Sequence, residues 1–390
     1  MPQGEGTHRG PLLALMLVVF VSMTGFGIVI PIVPFFGVHL GADATAITYA
    51  IGAYSLGQFI AAPLWGRLSD RFGRRPILIA TLALTAVFYV VLAQASTIDE
   101  IGLTRFMTGL VAGNIAAAFA AAADISSEET RARTMGMLGA GVGLGFIVGP
   151  AIGGLVAGGA PDQADFARVA YVAAGLAAAS VVVAMLVLRE TRPAGAPIRS
   201  AALTPFWTRP RLFALMGVTL LTLTAQALME SSFGLWSEKE LGWGPPQLGA
   251  TFAALGLVSA LLQGGAMGRL ARHFSEGQLL TGGLALYAAG FGALIFAHDS
   301  THAIAAMVLL ALGGGVVSPS LQALVSREAA AQERGAVLGV QQSASSLGRV
   351  FGPLASGPVF DGLGHNAPFA LGAVLMVAAA AIAAAATLKR

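Results

Sequence analysis

Apolar runs of about twenty residues, bounded by polar or Gly/Pro-rich clusters, follow one another along the whole chain. Crossing roughly 30 Å of hydrocarbon at about 1.5 Å per residue takes about 20 helical residues, so these runs predict transmembrane helices. Twelve are expected, near 12–36, 46–64, 76–95, 101–122, 135–157, 168–188, 212–236, 247–267, 278–297, 303–325, 335–357 and 368–387. The first run, after Arg9, is too long for a cleaved signal peptide, and no small-residue cleavage site follows it. The expected fold class is an all-α membrane protein with twelve spans.

Composition agrees with this pattern. Only 11% of the 390 residues are charged, 56% are hydrophobic and the mean hydropathy is +0.77. A soluble domain carries roughly a quarter charged residues, so this chain needs the lipid bilayer as its solvent. Fifty-one glycines suit tight helix packing, where small residues let backbones approach. The lack of cysteine excludes disulfides, thiolate nucleophiles, iron–sulfur clusters and thiolate zinc sites. A pI near 9.6 suggests nucleic acid until the charges are placed. With a cytoplasmic N-terminus, 18 of the 22 basic residues fall in cytoplasmic segments and two outside, Arg168 and Lys239. That asymmetry is the positive-inside pattern, so the basic residues set topology and no nucleic-acid partner is expected. Both termini are expected in the cytoplasm and the protein in the cell inner membrane. Arg105 and Arg349 lie within spans, and Glu230 is the one acid that does.

The interval from Arg189 to Arg211 holds Pro193, Pro197, Pro205 and Pro210 and is the longest polar stretch. It predicts a cytoplasmic linker, 191–210, between a six-helix bundle at 1–190 and another at 211–390. Internal similarity supports the division. Gly66-Arg67-Leu68 and Phe72 recur as Gly268-Arg269-Leu270 and Phe274, while Arg131, Gly136 and Gly149-Pro150 recur as Arg334, Gly339 and Gly352-Pro353.

The loop after the second span reads Gly66-Arg67-Leu68-Ser69-Asp70-Arg71-Phe72-Gly73-Arg74-Arg75-Pro76. This resembles the signature of the major facilitator superfamily, whose layout is two six-helix repeats with a substrate site between them near mid-membrane. Arg105 with Gly109 and Gly113, and Gly141, Gly145, Gly149-Pro150 and Gly153-Gly154, resemble signatures of its drug:proton antiporters. Gly25-Phe26-Gly27, Pro31, Pro34, Ala123-Asp124 and Arg131 are similar to the twelve-span tetracycline-type efflux pumps. The resemblance implies a cytoplasmic gate built from Gly66, Asp70, Arg71, Gly73, Arg74, Asp124 and Arg131. In it Asp70 meets the start of the eleventh span near Gly335, and Arg74 pairs with Asp124. Such contacts bias the inward–outward equilibrium by whatever energy differs between the two states. The glycines at 141, 145, 149 and 153 recur every four residues and form one smooth stripe. The resemblance implies that this stripe makes a close contact between the halves.

Glu230, Arg349 and Arg105 are the expected proton-coupling residues. An ionised carboxylate in hydrocarbon costs at least about 2.5–3.5 kcal/mol even on insertion scales, which marks Glu230 as functional. Arg349 is its expected ion-pair partner if their helices are neighbours; snorkelling to the surface is the alternative. Cavity candidates are Tyr54, Gln58, Asn114, Phe119, Gln226, Phe233, Gln263, Gln322 and Gln341, with Gln342 beside them. A mostly apolar cavity with few polar anchors suits an amphiphilic molecule. The tetracycline pumps carry an aspartate where this chain has Ser22, so a cationic substrate finds no counter-charge in the first span.

An ATP-driven pump needs a Gly-Lys phosphate loop, and neither Lys239 nor Lys389 follows a glycine. No Ser/His/Asp or metal-ligand constellation supports an enzyme. His298 and His302 stand four apart, but in an expected outer loop. The function expected is proton-coupled efflux of small amphiphilic drugs by a monomer, driven by the proton gradient without cofactor or metal. Import of a small metabolite is the alternative reading.

Overall fold

The structure is a computed structural model, and it describes residues 9–126, 128–159, 161–191, 206–329 and 333–388. Most of the linker, 192–205, lies outside the described residues, as do Lys389 and Arg390 and the side chains of Arg131 and Arg334.

Fifteen helices carry the described chain: α1 Arg9–Val29, α2 Val33–His39, α3 Ala44–Phe72, α4 Arg74–Leu92, α5 Ile98–Leu110, α6 Asn114–Asp124, α7 Glu128–Ala157, α8 Gln163–Val187, α9 Pro210–Leu241, α10 Pro245–Leu261, α11 Met267–His273, α12 Glu276–Ile295, α13 Ser300–Glu328, α14 Arg334–Leu363 and α15 Ala367–Leu388. Helix is what a chain in lipid must form, because it pairs each backbone N–H and C=O within its own segment. Each of the twelve expected runs coincides with one helix or with two consecutive ones.

The interruptions have local causes. Pro31 and Pro34 accompany the break between α1 and α2, and Pro34 takes a first-turn position where its missing N–H costs nothing. The chain turns at 111–113 between α5 and α6, and a π-helical turn, Leu262–Ala266, joins α10 to α11. Among the described residues nine helical segments are long and apolar enough to cross a membrane. By that measure α3 and α14 are too rich in small and polar residues, and α5 and α6 are each too short.

Several helix starts carry capping side chains. Asp162 with Asp165 forms a capping box on α8, and Ser275 with Gln278 forms one on α12. Thr97 accepts from the Glu100 N–H at the start of α5, and Asp299 from the His302 N–H at the start of α13. Each satisfies backbone donors that the first helical turn leaves open.

The chain forms two compact units. The first comprises Met1–Gly41, Ala53–Ser200 and Gly244–Ala253; the second comprises Ala42–Gly52, Ala201–Trp243 and Ala254–Arg390. The first residues of α3 thus group with the second unit, and the first residues of α10 with the first. In the first unit, Leu15, Val18 and Val19 of α1 pack with Leu78 and Leu82 of α4, Ala118 and Ala121 of α6 and Leu138 of α7. The second unit is centred on aromatic side chains: Phe233 stacks with Trp236 at 5.6 Å between centroids, Phe369 meets Trp236 edge-on at 5.4 Å, and Trp236 Nε1 donates to Asn366 Oδ1 at 2.7 Å.

The internal repeat seen in the sequence has a packing counterpart. Gly145 and Gly149 of α7 sit against Phe20, Met23, Thr24 and Gly27 of α1. Gly348 and Gly352 of α14 sit in the same manner against Leu220, Thr224, Ala227 and Leu228 of α9.

Candidate functional site

The signature loop between α3 and α4 folds around one guanidinium. Arg74 Nη1 donates to Asp70 Oδ1 at 2.7 Å and to Ser69 Oγ at 3.1 Å, and Arg74 Nε donates to Asp124 Oδ2 at 2.9 Å. The expected Arg74–Asp124 pair is therefore present, and it ties the head of α4 to the end of α6. Only Gly suits the turn between α3 and α4, because Gly73 has φ of +100°. A side chain there would also meet the Glu190 carboxylate.

Glu190 was missed by the sequence reading. It accepts from the Arg74 N–H at 2.9 Å and the Arg75 N–H at 3.2 Å, capping α4 from the end of the sixth span. Its place beside the arginine-rich linker hid this role, because the contact bridges 116 residues. Arg71 lies over the Phe72 ring at 5.3 Å, and Gly66 has open space around it. Gly335, the expected partner of Asp70, lies outside the residues described in side-chain detail; Asp70 is bonded to Arg74.

The glycine stripe faces a different neighbour from the one expected. Gly141, Gly145, Gly149 and Gly153 lie against Met16, Met23, Thr24 and Ile28 of α1, within the first compact unit. A helix facing α1 needs small residues every fourth position, since the two backbones touch. The next residue, Gly154, and the Pro150 carbonyl approach Pro245 and Gly249 at the head of α10, which belongs to the same compact unit.

Glu230 lies half-buried on α9 and accepts from Gln226 Nε2 at 2.8 Å. Its helix runs on to Leu241, past the expected end at 236. Eleven further residues put Glu230 about 16 Å short of the helix end. The helices of Glu230 and Arg349 are neighbours, as required for pairing, since Gly348 meets Leu223 and Thr224. The ion pair itself is not formed: Arg349 is half-buried and absent from the ion pairs of the described residues.

Arg105 is buried on α5. Its side chain is 2% exposed, and its guanidinium lies over the rings of Tyr54 at 4.9 Å and Phe26 at 5.4 Å. Glycine makes this possible. Gly109, one turn beyond Arg105, meets the Tyr54 carbonyl, and Gly57 meets Phe106 and Leu110, so the backbones of α3 and α5 touch. Beside these rings is a narrow cavity lined by Ser22, Phe26, Tyr54, Tyr89, Thr108 and Asn114. Asn114 Nδ2 donates to Ser22 Oγ at 3.0 Å across it.

The other cavity candidates divide. Tyr54 and Asn114 line this space; Phe119 packs on the first unit's core. Phe233 is wholly enclosed by Trp236, Trp243 and Phe369, so its faces are taken by its own chain. Gln226 is engaged with Glu230, Gln341 is buried, Gln58 is half-buried, and Gln263, Gln322 and Gln342 are exposed. No group of three or more metal-ligating side chains occurs among the described residues.

An all-helical chain with paired α7/α1 and α14/α9 contacts and this charge-clamped loop is a multi-pass membrane transporter. It matches the profile of the Major Facilitator Superfamily over residues 15–353 and 212–390. The chain belongs to the major facilitator superfamily. It is 31% identical over 356 residues to the tetracycline resistance protein, class G, of Vibrio anguillarum, covering 89% of each chain. Multidrug resistance protein 1 of Bacillus subtilis (strain 168) is 28% identical over 367 residues, covering 92% of this chain and 91% of that protein. Among solved structures, a bacterial homolog of the human lysosomal transporter Spinster shares the fold with a TM-score of 0.85 at 15% identity, over 99% and 98% of the two chains. As a member of this transporter family, the protein is not an enzyme.

Proposed function

We propose that the protein exports small amphiphilic molecules across the cell inner membrane in exchange for protons, by alternating access. It does so as a monomer, with both termini cytoplasmic and no cofactor. The observation that carries this reading is Glu230. It is a carboxylate well inside a 32-residue helix, held by a hydrogen bond from Gln226 and without an ion-pair partner among the described residues. A single hydrogen bond to a charged group contributes about 1.5–3 kcal/mol, which offsets only part of the cost of the charge at that depth. Protonation removes the remainder, so proton loading changes the energy of this region as access alternates.

The relatives named for tetracycline and multidrug resistance support export and a drug-like substrate. Ser22, bonded to Asn114 where those pumps carry an aspartate, favours substrates other than a metal-chelated cation. Within this reading the Arg74 clamp stabilises the cytoplasmic gate, and Arg349 and Arg105 respond to the charge state of their surroundings.

Drug accumulation in cells expressing the chain tests the reading, with and without a protonophore, for wild type and Glu230→Gln. Wild type is expected to lower accumulation, and both the protonophore and the substitution to abolish that effect. Normal export by Glu230→Gln would place coupling elsewhere. A wild type that lowers nothing across a broad panel would favour import.

A further inference from the structure

The second unit carries an ion-pair clamp at the place where the internal repeat puts it, with every charge reversed. In the first unit Arg74 opens α4 and pairs with Asp70, four residues back, and with Asp124 at the end of α6. The repeat that carries Gly66 onto Gly268 sets Arg272 where Asp70 stands and Glu276 where Arg74 stands. The repeat that carries Arg131 onto Arg334 sets Arg327 where Asp124 stands. Glu276 opens α12, and Arg327 lies in the last turn of α13. Arg327 Nη1 donates to Glu276 Oε2 at 2.7 Å while its Nη2 pairs with Oε1. Such a two-pronged pair fixes direction as well as distance.

The reversal has a physical consequence. A helix start favours an acid and a helix end favours a base. Glu276 and Arg327 follow that preference. Arg74 and Asp124 oppose it, and α4 is helped by Asp70 and by Glu190, which caps its first turn. The second clamp needs no such help: Arg272 forms no ion pair among the described residues, and the neighbouring Glu328 pairs with Arg211.

The clamp stands at the foot of the span Pro245–His273. Only 6% of the most apolar stretch of that span is buried in the protein, against 33–56% for the other described spans. It rests on α13 through Ser259 Oγ, which donates to the Ala311 carbonyl at 3.2 Å, and through Leu262, which meets Gly315. Next comes the π-helical turn Leu262–Ala266, with open space around Gly264 and Gly265, and then α11, which has no buried residue. Turns of this kind inside a helix are places where it bends. Below the bend, α11 joins the head of α12, and α12 is a firm base: Gly283 and Gly290 lie against Val317 and Leu310 of α13.

We propose that Glu276 and Arg327 are positioning residues for transport: their ion pair fixes the foot of the span Pro245–His273, so that the span bends at Leu262–Ala266 and not at its end. The pair requires opposite charges and not a particular sign, since the two units use opposite polarity. The proposal goes beyond the export reading, because it holds for either direction of transport.

The test uses the absence of cysteine from the chain. A nitroxide is placed on the full chain in nanodiscs at Ala271→Cys, exposed on α11, or at Gly282→Cys, exposed on α12, and its mobility is read by electron paramagnetic resonance. Glu276→Gln and Arg327→Gln are each expected to shorten the correlation time at position 271 at least about twofold and to leave position 282 unchanged, because the loosening is local. The exchange Glu276→Arg with Arg327→Glu is expected to recover most of the order. Tm changes little in all three, since a pair this exposed contributes little to global stability. Drug export in cells is expected to fall in both single variants and to return in the exchange. Unchanged mobility at position 271, an exchange as mobile as the single variants, or normal export by both single variants would overturn the proposal. A wild type that exports no drug overturns the export reading instead, and the label then decides the clamp.

Discussion

At the scale of single residues, glycines decide which side chains meet. Gly109 lies against the Tyr54 carbonyl, and that approach brings the Tyr54 ring under Arg105. Gly109→Ala puts a methyl group into backbone that cannot yield without separating α3 from α5. It is expected to destabilise by about 1–3 kcal/mol, the usual cost of overpacking. Gly143 of α7 has open space around its Cβ position, so Gly143→Ala is expected to be neutral or stabilising by up to about 1 kcal/mol. Thermal unfolding of the two purified variants by intrinsic tryptophan fluorescence separates these outcomes; equal shifts would remove the close-approach argument. Arg74 shows the same dependence on geometry, because its planar fork reaches Asp70, Ser69 and Asp124 together, which a lysine's point charge does not reproduce. The Arg74–Asp124 pair was legible from its place in a known signature. Glu190 was not, since nothing local in Arg189-Glu190-Thr191 says that it will cap a helix 116 residues away.

At the scale of helices, the ends are governed by capping side chains whose charge matters. The Asp165 N–H, first, holds the Asp162 carboxyl below its ordinary range, and the His302 N–H does the same for Asp299. A carboxyl whose folded-state value is depressed contributes stability that is fully present above its ordinary range and is lost as pH falls through the folded value. The double variant Asp162→Asn, Asp299→Asn keeps a cap but loses the titration. Its Tm is expected to fall less than the wild-type Tm as pH drops below the ordinary carboxylate range, measured by differential scanning fluorimetry. Parallel wild-type and variant curves would show that these caps do not depend on charge. Long apolar runs made the helices themselves legible. The π-helical turn at Leu262–Ala266 was not, because Gly264 and Gly265 permit it without requiring it. The stripe on α7 was read correctly as a packing surface and assigned to the wrong partner, since a row of glycines specifies closeness and not identity.

At the scale of the whole molecule, the boundary between units does not follow the helices. The head of α3, Ala42–Gly52, groups with the second unit while the rest of that helix belongs to the first. Asp361, near the end of α14, accepts from both the N–H and the hydroxyl of Thr45, at 2.8 and 2.6 Å, and so caps α3. Thr45 and Asp361 both lie in the second unit while the rest of α3 lies in the first, so a cross-link between them tests whether the head of α3 leaves the second unit during transport. The chain has no cysteine, so the pair Thr45→Cys, Asp361→Cys can be oxidised without side reactions. Oxidation is expected to abolish transport by the double variant and reduction to restore it, read as drug accumulation in cells. Transport unaffected by a completed cross-link would show that this contact stays closed throughout.

The sequence by itself determined that the chain lives in a membrane as a row of helices, and which superfamily it belongs to. Both follow from local facts, apolar runs long enough to cross a bilayer and a short charged signature. Tertiary structure alone decided that the glycine stripe meets α1, that Phe233 is core, that Glu230 is held by Gln226 rather than Arg349, and that Arg105 sits over the rings of Phe26 and Tyr54 with no ion pair among the described residues. Those outcomes depend on which helices become neighbours and how their faces are turned. That is a balance of close packing over contacts distant in sequence, and no single stretch of residues encodes it.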